Sequence, residues 1–207
     1  MKKVYFVRHG ESEYNAKRLH QHGDVSLSES GVKQAEEIAE RFLDISVDVI
    51  ISSPYLRAKQ TAEAISKRIN KNIEFEKKIV ELVRPSIFVG KNYDDKSIEF
   101  IKKYIKENEH NPEWRYADEE NFFDIKNRAL EFLLELSRRD ESEILVVTHG
   151  HFLRVIIGCM MFGDGFSPKE FAYLEHFLVI KNTGLTLCEY GKNGWKLVTW
   201  NDHAHLG

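Results

Sequence analysis

The chain has 207 residues, of which 42 % are hydrophobic and 30 % are charged, an ordinary balance for a globular protein with one good core. Its formal net charge of −3 argues against a nucleic-acid partner, which favours a basic surface, but a small anionic substrate stays open because local charge governs such binding. No apolar run approaches the roughly 20 residues of a membrane span, and the two cysteines show no ligand-type spacing, so we predict a cytoplasmic protein with free thiols and no membrane partner.

The first part of the sequence alternates apolar strands with amphipathic helices. We predict a strand at 4–7, a helix with apolar residues from 35 to 42, a strand at 47–51, a helix at 55–69 and a short strand at 73–75. Either Ser28 or Ser30 is placed to cap the first of these helices.

The alternation breaks between Glu81 and about Glu120. This stretch contains two of the four prolines and one helix-like segment, at 96–107. We interpret it as an excursion from the core, of the kind that often covers a site. The chain is therefore predicted to be a single domain, 1–207, with a lid or insertion at about 81–120.

The alternation then returns and ends in a hairpin. We predict a helix at 122–138, a strand at 144–147, a helix at 152–161, and a hairpin that starts at Phe177 and turns at Asn193-Gly194. Strands that alternate with helices form a mostly parallel sheet covered on both faces. The predicted fold is therefore a three-layer α/β/α arrangement around a mostly parallel central sheet.

Three polar clusters follow directly on apolar strands. They are Arg8-His9-Gly10, then Ser52-Ser53-Pro54 with Arg57 one turn later, then Thr148-His149-Gly150. Ligands of such sheets bind beyond the carboxyl ends of the strands. If the three strands are neighbours, two histidines and two arginines meet at one edge of the sheet.

Those side chains suit a phosphate monoester. Arg8 and Arg57 are predicted to clamp its oxygens through paired, charged hydrogen bonds. Backbone N–H groups at the helix starts, such as that of Gly150, add donors. Consecutive residues of a strand point to opposite faces, so Arg8 and His9 face one phosphate only if the chain leaves the strand there, and Gly10 is expected to permit that departure.

His9 is the predicted nucleophile of a phosphoryl-transfer reaction. Nearby arginines disfavour its imidazolium form and lower its pKa, which leaves a ring nitrogen free to attack phosphorus and form a phosphohistidine. His149 is predicted to donate a hydrogen bond to the phosphoryl oxygens. The leaving group needs a general acid, for which Glu81 is the first choice, held protonated by partial burial, and Glu11 is the substitute.

The sequence resembles the histidine phosphatase superfamily, which includes cofactor-dependent phosphoglycerate mutases and broad-specificity phosphatases. The resemblance is carried, in the family's order, by Val-Arg-His-Gly-Glu-Ser-Glu-Tyr-Asn at 7–15 and by the runs at 24–27, 53–62, 81–82 and 147–150. It implies a phosphohistidine at His9, a phosphate pocket of Arg8, Arg57 and His149, and an acid/base carboxylate at Glu81. It also implies a phosphate contact from Asn15 and no metal. We expect no cofactor.

The sequence departs from the mutase pattern after the predicted acid/base residue. Phosphoglycerate mutases usually continue with a Glu-Arg-x-Tyr-Gly type run, whereas this chain continues Leu-Val-Arg84-Pro-Ser-Ile-Phe-Val-Gly-Lys91. Arg84 and Lys91 are candidates to meet a second anionic group of the substrate. We therefore favour a phosphatase acting on a small phosphorylated substrate over a mutase, and either over a non-catalytic phosphate-binding domain. A homodimer stays open.

Overall fold

The computed structural model describes residues 1–207, and a six-stranded sheet forms its centre. The strands are β1 Lys2–Arg8, β2 Val49–Ser52, β3 Ile73–Phe75, β4 Glu143–Thr148, β5 Leu185–Gly191 and β6 Gly194–Asp202. Their order is β3-β2-β4-β1-β5-β6. The first four run parallel, while β5 and β6 each run antiparallel to the strand beside them. The predicted mostly parallel sheet is confirmed.

Seven helices cover the sheet or connect its strands. They are α1 Glu13–Ala16, α2 Glu29–Arg41, α3 Leu56–Ile69, α4 Glu99–Asn108, α5 Phe122–Arg138, α6 Gly150–Phe162 and α7 Pro168–Phe177. Side chains of α2 and α3 pack on one face of the sheet, and those of α5, α6 and α7 pack on the other. In β1, Phe6 joins one core cluster and Val7 the other, because successive side chains of a strand alternate between faces. The predicted three-layer arrangement is confirmed.

Side-chain caps set the starts of the two helices that the sequence marks most clearly. The Ser28 hydroxyl accepts a hydrogen bond from the Gly31 N–H, so Ser28, and not Ser30, caps α2. Asn121 caps α5 in a reciprocal capping box with Asp124, and the helix then spans the predicted residues.

The C-terminal hairpin begins later than predicted. The strand expected from Phe177 starts at Leu185, because Phe177 is still the last residue of α7. Pro168 in the first turn and a capping box between Ser167 and Glu170 begin a helix that the sequence analysis missed. The seven residues between α7 and β5 form a loop at the end of β1.

Residues 81–120 fold into two 3-10 turns, Ser86–Phe88 and Lys96–Ile98, followed by α4. The helix predicted at 96–107 is therefore present, with a tighter first turn. The last residue of each 3-10 turn is buried. An isolated bridge between Leu19 and Asn92 ties the segment to the loop that follows α1. None of the helices is both long and apolar enough to cross a bilayer.

Candidate active site

The predicted polar clusters meet at one edge of the sheet. β4 lies between β1 and β2, with Arg8 opposite Thr148 and Ser52 opposite Val147. The residues after these three strands therefore emerge side by side, as the rule for parallel sheets requires. The imidazole rings of His9 and His149 lie 5.1 Å apart between centroids.

His9 is the first residue beyond β1, and it is 1 % exposed. Its Nδ1 lies 2.7 Å from the carbonyl oxygen of Gly10. A carbonyl only accepts hydrogen bonds, so Nδ1 carries the proton and Nε2 keeps its lone pair. Burial, and then the charges of Arg57 and Arg8, hold the pKa of His9 well below its usual 6.5. The imidazole is neutral near pH 7 and nucleophilic at Nε2.

Arg57 lies in the first turn of α3 and touches His9 directly. Its Nε donates to His9 Nε2 at 3.1 Å, and its Nη1 donates to the carbonyl of His22 at 2.9 Å. The guanidinium carbon lies 5.2 Å from the centre of the Tyr55 ring. Burial lowers the pKa of Arg57 to about 10, which still leaves it charged near neutral pH.

Arg8 and His149 each present a buried nitrogen that has no hydrogen-bond partner in the protein. For Arg8 the atom is Nε, since Nη1 donates to the carbonyl of Ile180 at 2.9 Å. For His149 it is Nδ1, while Nε2 lies 2.8 Å from Ser53 Oγ. Burial and the charge of Arg57 lower the pKa of His149 well below its usual value. Unpartnered buried nitrogens cost free energy unless a ligand meets them, so these two atoms suit phosphoryl oxygens.

Two glycines keep the site compact through close approach. A Cβ on Gly10 would lie 2.5 Å from the carbonyl oxygen of Gly31 in α2. Gly10 does not adopt a positive φ, so the site does not depend on the conformational freedom that we expected of this glycine. It depends on the absence of a Cβ, which allows Gly31 to approach. A Cβ on Gly150 would lie 3.3 Å from Arg8 Nε, which explains a glycine at the start of α6.

Glu81 binds the first turn of α6. Its Oε1 accepts from the N–H groups of Leu82 and Phe152, both at 3.0 Å, and its Oε2 accepts from that of His151 at 3.1 Å. Burial alone raises the pKa of the Glu81 carboxyl, but the charge of His151 and the backbone N–H groups outweigh burial and lower it. The expected protonated resting state is therefore wrong, because α6 offers its free N–H groups to the carboxylate.

A partly buried ion pair holds the backbone of Glu81. Arg128 of α5 pairs with Glu120 through two hydrogen bonds, of 2.8 and 2.9 Å. The same guanidinium donates to the carbonyls of Lys78, Val80 and Glu81, at 2.6, 2.8 and 3.3 Å. One side chain therefore connects α5 to the segment that carries the acid/base candidate.

The two remaining candidates from the first motif have local partners. Glu11 Oε1 accepts from the Ser28 hydroxyl at 2.8 Å, which places this carboxylate at the start of α2. Asn15 forms a capping box with Ser12 at the start of α1. In that capping box Asn15 Oδ1 accepts a hydrogen bond from the Ser12 N–H. The phosphate contact of Asn15 stays a prediction.

A cavity of about 190 Å³ lies beside the first turn of α6. Its lining includes Leu82, Arg84 and His151. Leu82 follows Glu81 in sequence, and the His151 N–H donates to the Glu81 carboxylate. Its other walls come mainly from the excursion, α5 and α7. They combine four aromatic side chains, Phe88, Trp114, Phe122 and Phe171, with four carboxylates, Glu109, Glu119, Glu120 and Glu175. Lys91, the second predicted anion contact, is absent from the lining and donates to Ser97 Oγ at 2.6 Å.

Sequence reasoning missed several residues that shape the site. Ser53 and Thr61 stood in the motifs but received no role, and each bonds a catalytic candidate or its neighbour. Asn182 lies 173 residues from His9, to whose carbonyl it donates at 3.0 Å. No local pattern marks Asn182, since it sits in a loop that the sequence analysis assigned to a strand.

Comparison with known proteins decides the family. Residues 4–203 match the model of the histidine phosphatase superfamily, branch 1. The chain belongs to this superfamily. It is 30 % identical to "Probable phosphoglycerate mutase GpmB" of Proteus mirabilis, across 100 % of this chain and 95 % of that protein. It is 26 % identical to "Uncharacterized phosphatase PhoE" of Bacillus subtilis, across 100 % and 97 % of the two chains.

The histidine phosphatase fold is also that of similar solved structures. Bacillus stearothermophilus YhfR superposes with a TM-score of 0.85 over the whole of both chains, at 23 % sequence identity. At that identity the likeness concerns the fold, and the names of the relatives divide between phosphatases and mutases. The family resemblance expected from the sequence is confirmed, as is the fold.

Proposed function

We propose that this chain is a metal-independent phosphatase that hydrolyses a small phosphomonoester through a phosphohistidine at His9. The observation that carries the proposal is the state of that imidazole. It is neutral, its proton is donated to the Gly10 carbonyl, and its unprotonated Nε2 accepts a hydrogen bond from Arg57, a group that binds phosphoryl oxygens and has to move its Nε from Nε2 to the phosphate before the attack. Any neutral donor would satisfy the buried lone pair of a structural histidine, whereas a buried guanidinium beside it also supplies the positive charge that a phosphoryl group needs.

In the first step, His9 Nε2 attacks phosphorus and the bond to the leaving oxygen breaks. Arg8 and Arg57 bind the phosphoryl oxygens and balance their charge, as metal ions do in other phosphoryl-transfer enzymes. His149 Nδ1 and Arg8 Nε are the buried nitrogens available to them. The products of this step are a phosphohistidine and the alcohol, which takes up one proton.

Glu81 is the proposed source of that proton. The carboxylate is ionised at rest, but a bound phosphate brings negative charge close to it and raises its pKa. A monoester near neutral pH still carries a proton in part of its population, because its second pKa is about 6. In the second step water attacks the phosphohistidine, and the Glu81 carboxylate takes the proton that the water releases.

The leaving group is assigned to the cavity beside Glu81. Its volume of about 190 Å³ is close to that of the roughly 150 Å³ cavity that holds a benzene ring in an engineered protein. Among the cations of the lining, Lys106 pairs with Glu109 at 2.7 Å and Lys102 bonds the carbonyl of Tyr93. Arg84 is the candidate for a second anionic group. One such cation favours a phosphatase over a mutase that must hold a bisphosphate.

Hydrolysis of nitrophenyl phosphate in the presence of a chelator tests the proposal. We expect turnover that His9→Ala abolishes, while the exposed His110→Ala leaves it unchanged. Quenching in alkali, where phosphohistidine survives, should trap labelled phosphate on the wild-type chain and none on His9→Ala. Full activity of His9→Ala would overturn the proposal. Conversion of 3-phosphoglycerate to 2-phosphoglycerate faster than its hydrolysis would replace it with the mutase.

A further inference from the structure

The loop between α7 and β5 contacts Arg8 and His9, the two catalytic candidates that are adjacent in sequence. Asn182 Nδ2 donates to the carbonyl of His9 at 3.0 Å. The N–H of Thr183 donates to the carbonyl of Arg8 at 3.0 Å. In return, Arg8 Nη1 donates to the carbonyl of Ile180. The Arg8 N–H also donates to the Gly184 carbonyl, and the Thr183 N–H also contacts the His9 carbonyl, both at 3.4 Å. Five hydrogen bonds therefore join this loop to Arg8 and His9, although none of the motifs includes it.

The peptide unit between His9 and Gly10 is held at both ends. Its carbonyl accepts from Asn182, and its N–H donates to Thr61 Oγ1 at 3.0 Å. The next carbonyl, that of Gly10, accepts from His9 Nδ1. The orientation of the imidazole thus depends on the plane of this peptide, which fixes where Nε2 points.

Thr183 holds the loop in a conformation that its own chemistry disfavours. It is fully buried and has a φ of +55°. A β-branched residue seldom adopts the left-handed region, and such outliers persist only where the surroundings over-determine them. The Thr183 hydroxyl donates to the carbonyl of Asn182 at 2.8 Å and lies 2.9 Å from His205 Nε2.

The end of the chain fastens Thr183 in place. Because the hydroxyl has given its hydrogen to Asn182, His205 Nε2 must donate to it. His205 Nδ1 then accepts from Arg41 Nη1 at 3.4 Å, and Arg41 pairs with Asp202 at 2.6 Å. Contacts from α2 and β6 therefore hold the strained loop against the nucleophile.

We infer that Asn182 and Thr183 are positioning residues that aim His9 Nε2 at the phosphorus. Asn182 sets the peptide plane after His9, and Thr183 holds Asn182 and the Arg8 carbonyl in register. Neither side chain needs to touch the substrate for this role. The kinetic part of the inference rests on the proposed phosphatase activity, while the binding part below does not.

Asn182→Leu tests the positioning role, since it keeps the approximate size of the side chain and removes its N–H donors without adding charge. We expect kcat for nitrophenyl phosphate to fall about 10- to 100-fold, because small errors in alignment of a reacting atom have effects of that order. KM should stay within about twofold, because the arginines that bind phosphate are unchanged. Unchanged kcat would overturn the inference.

Binding of orthovanadate provides a readout without turnover. Vanadate takes the five-coordinate geometry of phosphoryl transfer and needs an aligned Nε2, whereas inorganic phosphate needs the arginines. We expect Asn182→Leu to weaken vanadate binding about tenfold and phosphate binding less than twofold. Equal losses for the two ions, or no loss, would contradict positioning. A wild-type chain that binds both ions but hydrolyses no ester would refute the proposed function alone.

Two further variants separate positioning from stability. Lys2 lies at the other end of β1, where its ammonium donates to the carbonyls of Arg139 and Glu141. Lys2→Met should lower the melting temperature and leave kcat unchanged. Thr183→Gly removes the φ penalty but also the hydroxyl that bonds Asn182 and His205, so it should lose some stability, as Lys2→Met does, and unlike Lys2→Met it should also turn over more slowly. A Thr183→Gly chain of full kcat would remove Thr183 from the inference.

Discussion

Two carboxylates compete for the acid/base role, and their surroundings differ at the level of single atoms. Glu81 accepts three backbone N–H bonds, two of them from α6, directly after His149, while Glu11 accepts from Ser28 at the start of α2. Burial lowers the pKa of both Arg8 and Arg57, and the charge of Glu81, but not that of Glu11, opposes this shift at each arginine. Glu81 is therefore the carboxylate nearer to the predicted phosphate pocket.

Glu81→Gln should therefore distinguish substrates by their leaving groups. We expect hydrolysis of an alkyl phosphate to fall by about 10²- to 10⁴-fold, the usual contribution of a general acid. Hydrolysis of nitrophenyl phosphate should fall far less, because nitrophenolate leaves without a proton. Steady-state kinetics on both esters measure the ratio, with Glu11→Gln as the matched control. If Glu11→Gln, and not Glu81→Gln, slowed the alkyl ester more than the nitrophenyl ester, Glu11 and not Glu81 would be the general acid.

At the scale of elements, α5 does more than cover the sheet. Arg128 connects it to the carbonyls of Lys78, Val80 and Glu81 and to the Glu120 carboxylate, and its side chain is 13 % exposed. Removing one partner of such a pair leaves the other charge uncompensated and the carbonyls without donors. α5 therefore supports both the stability of the fold and the placement of the acid/base candidate.

Arg128→Met should reduce the free energy of unfolding by about 2 kcal/mol, because at this partly buried site Glu120 loses its counter-charge and three carbonyls lose a donor. It should also lower kcat for an alkyl phosphate more than for nitrophenyl phosphate, since Glu81 loses its backbone support. Urea unfolding and the two assays measure these effects. The control is Arg115→Met, which breaks an exposed pair with Asp124 on the same helix and should change stability far less. Equal losses of unfolding free energy in the two variants would show that the Arg128 pair stabilises the fold no more than the exposed Arg115 pair does.

Across the whole molecule, several histidines have a lowered pKa and so couple stability to pH. His9 and His149 are fully buried, and the pKa values of the half-buried His20 and His205 are lowered to about 4. The unfolded chain takes up protons near pH 6.5 that the folded chain does not bind. Below that pH the unfolded state binds more protons, so the free energy of unfolding falls as the solution becomes more acidic.

We expect this fall between pH 7 and pH 5, with each such histidine contributing up to about 1.4 kcal/mol per pH unit. Urea unfolding at several pH values gives the slope. His149→Gln should reduce it by as much as one proton, whatever its effect on stability at pH 7, and the exposed His110→Gln should leave it as in wild type. A slope that His149→Gln does not change would contradict the lowered pKa of His149.

The sequence by itself determined the mostly parallel sheet, four of the helices that cover it, and the polar residues that follow its parallel strands. Runs such as Val4 to Val7 are apolar on both faces, which only a covered parallel strand requires, and the chemically active residues follow such runs at once. Where strands are parallel neighbours, residues just past their ends meet without further information. Arg8, His9, Arg57 and His149 could therefore be placed together before any coordinates were known.

Only the tertiary structure decided the features that depend on contacts between distant segments. The lowered pKa of Glu81 comes from the charge of His151 and from N–H groups of α6, about 70 residues away, and no local pattern predicts that contact. Asn182 and Thr183 act on a strand 173 residues earlier, from a loop that resembles a strand in its composition. A sequence records which side chains are present. Their protonation states and orientations depend on burial and on long-range hydrogen bonds, which exist only in the folded chain.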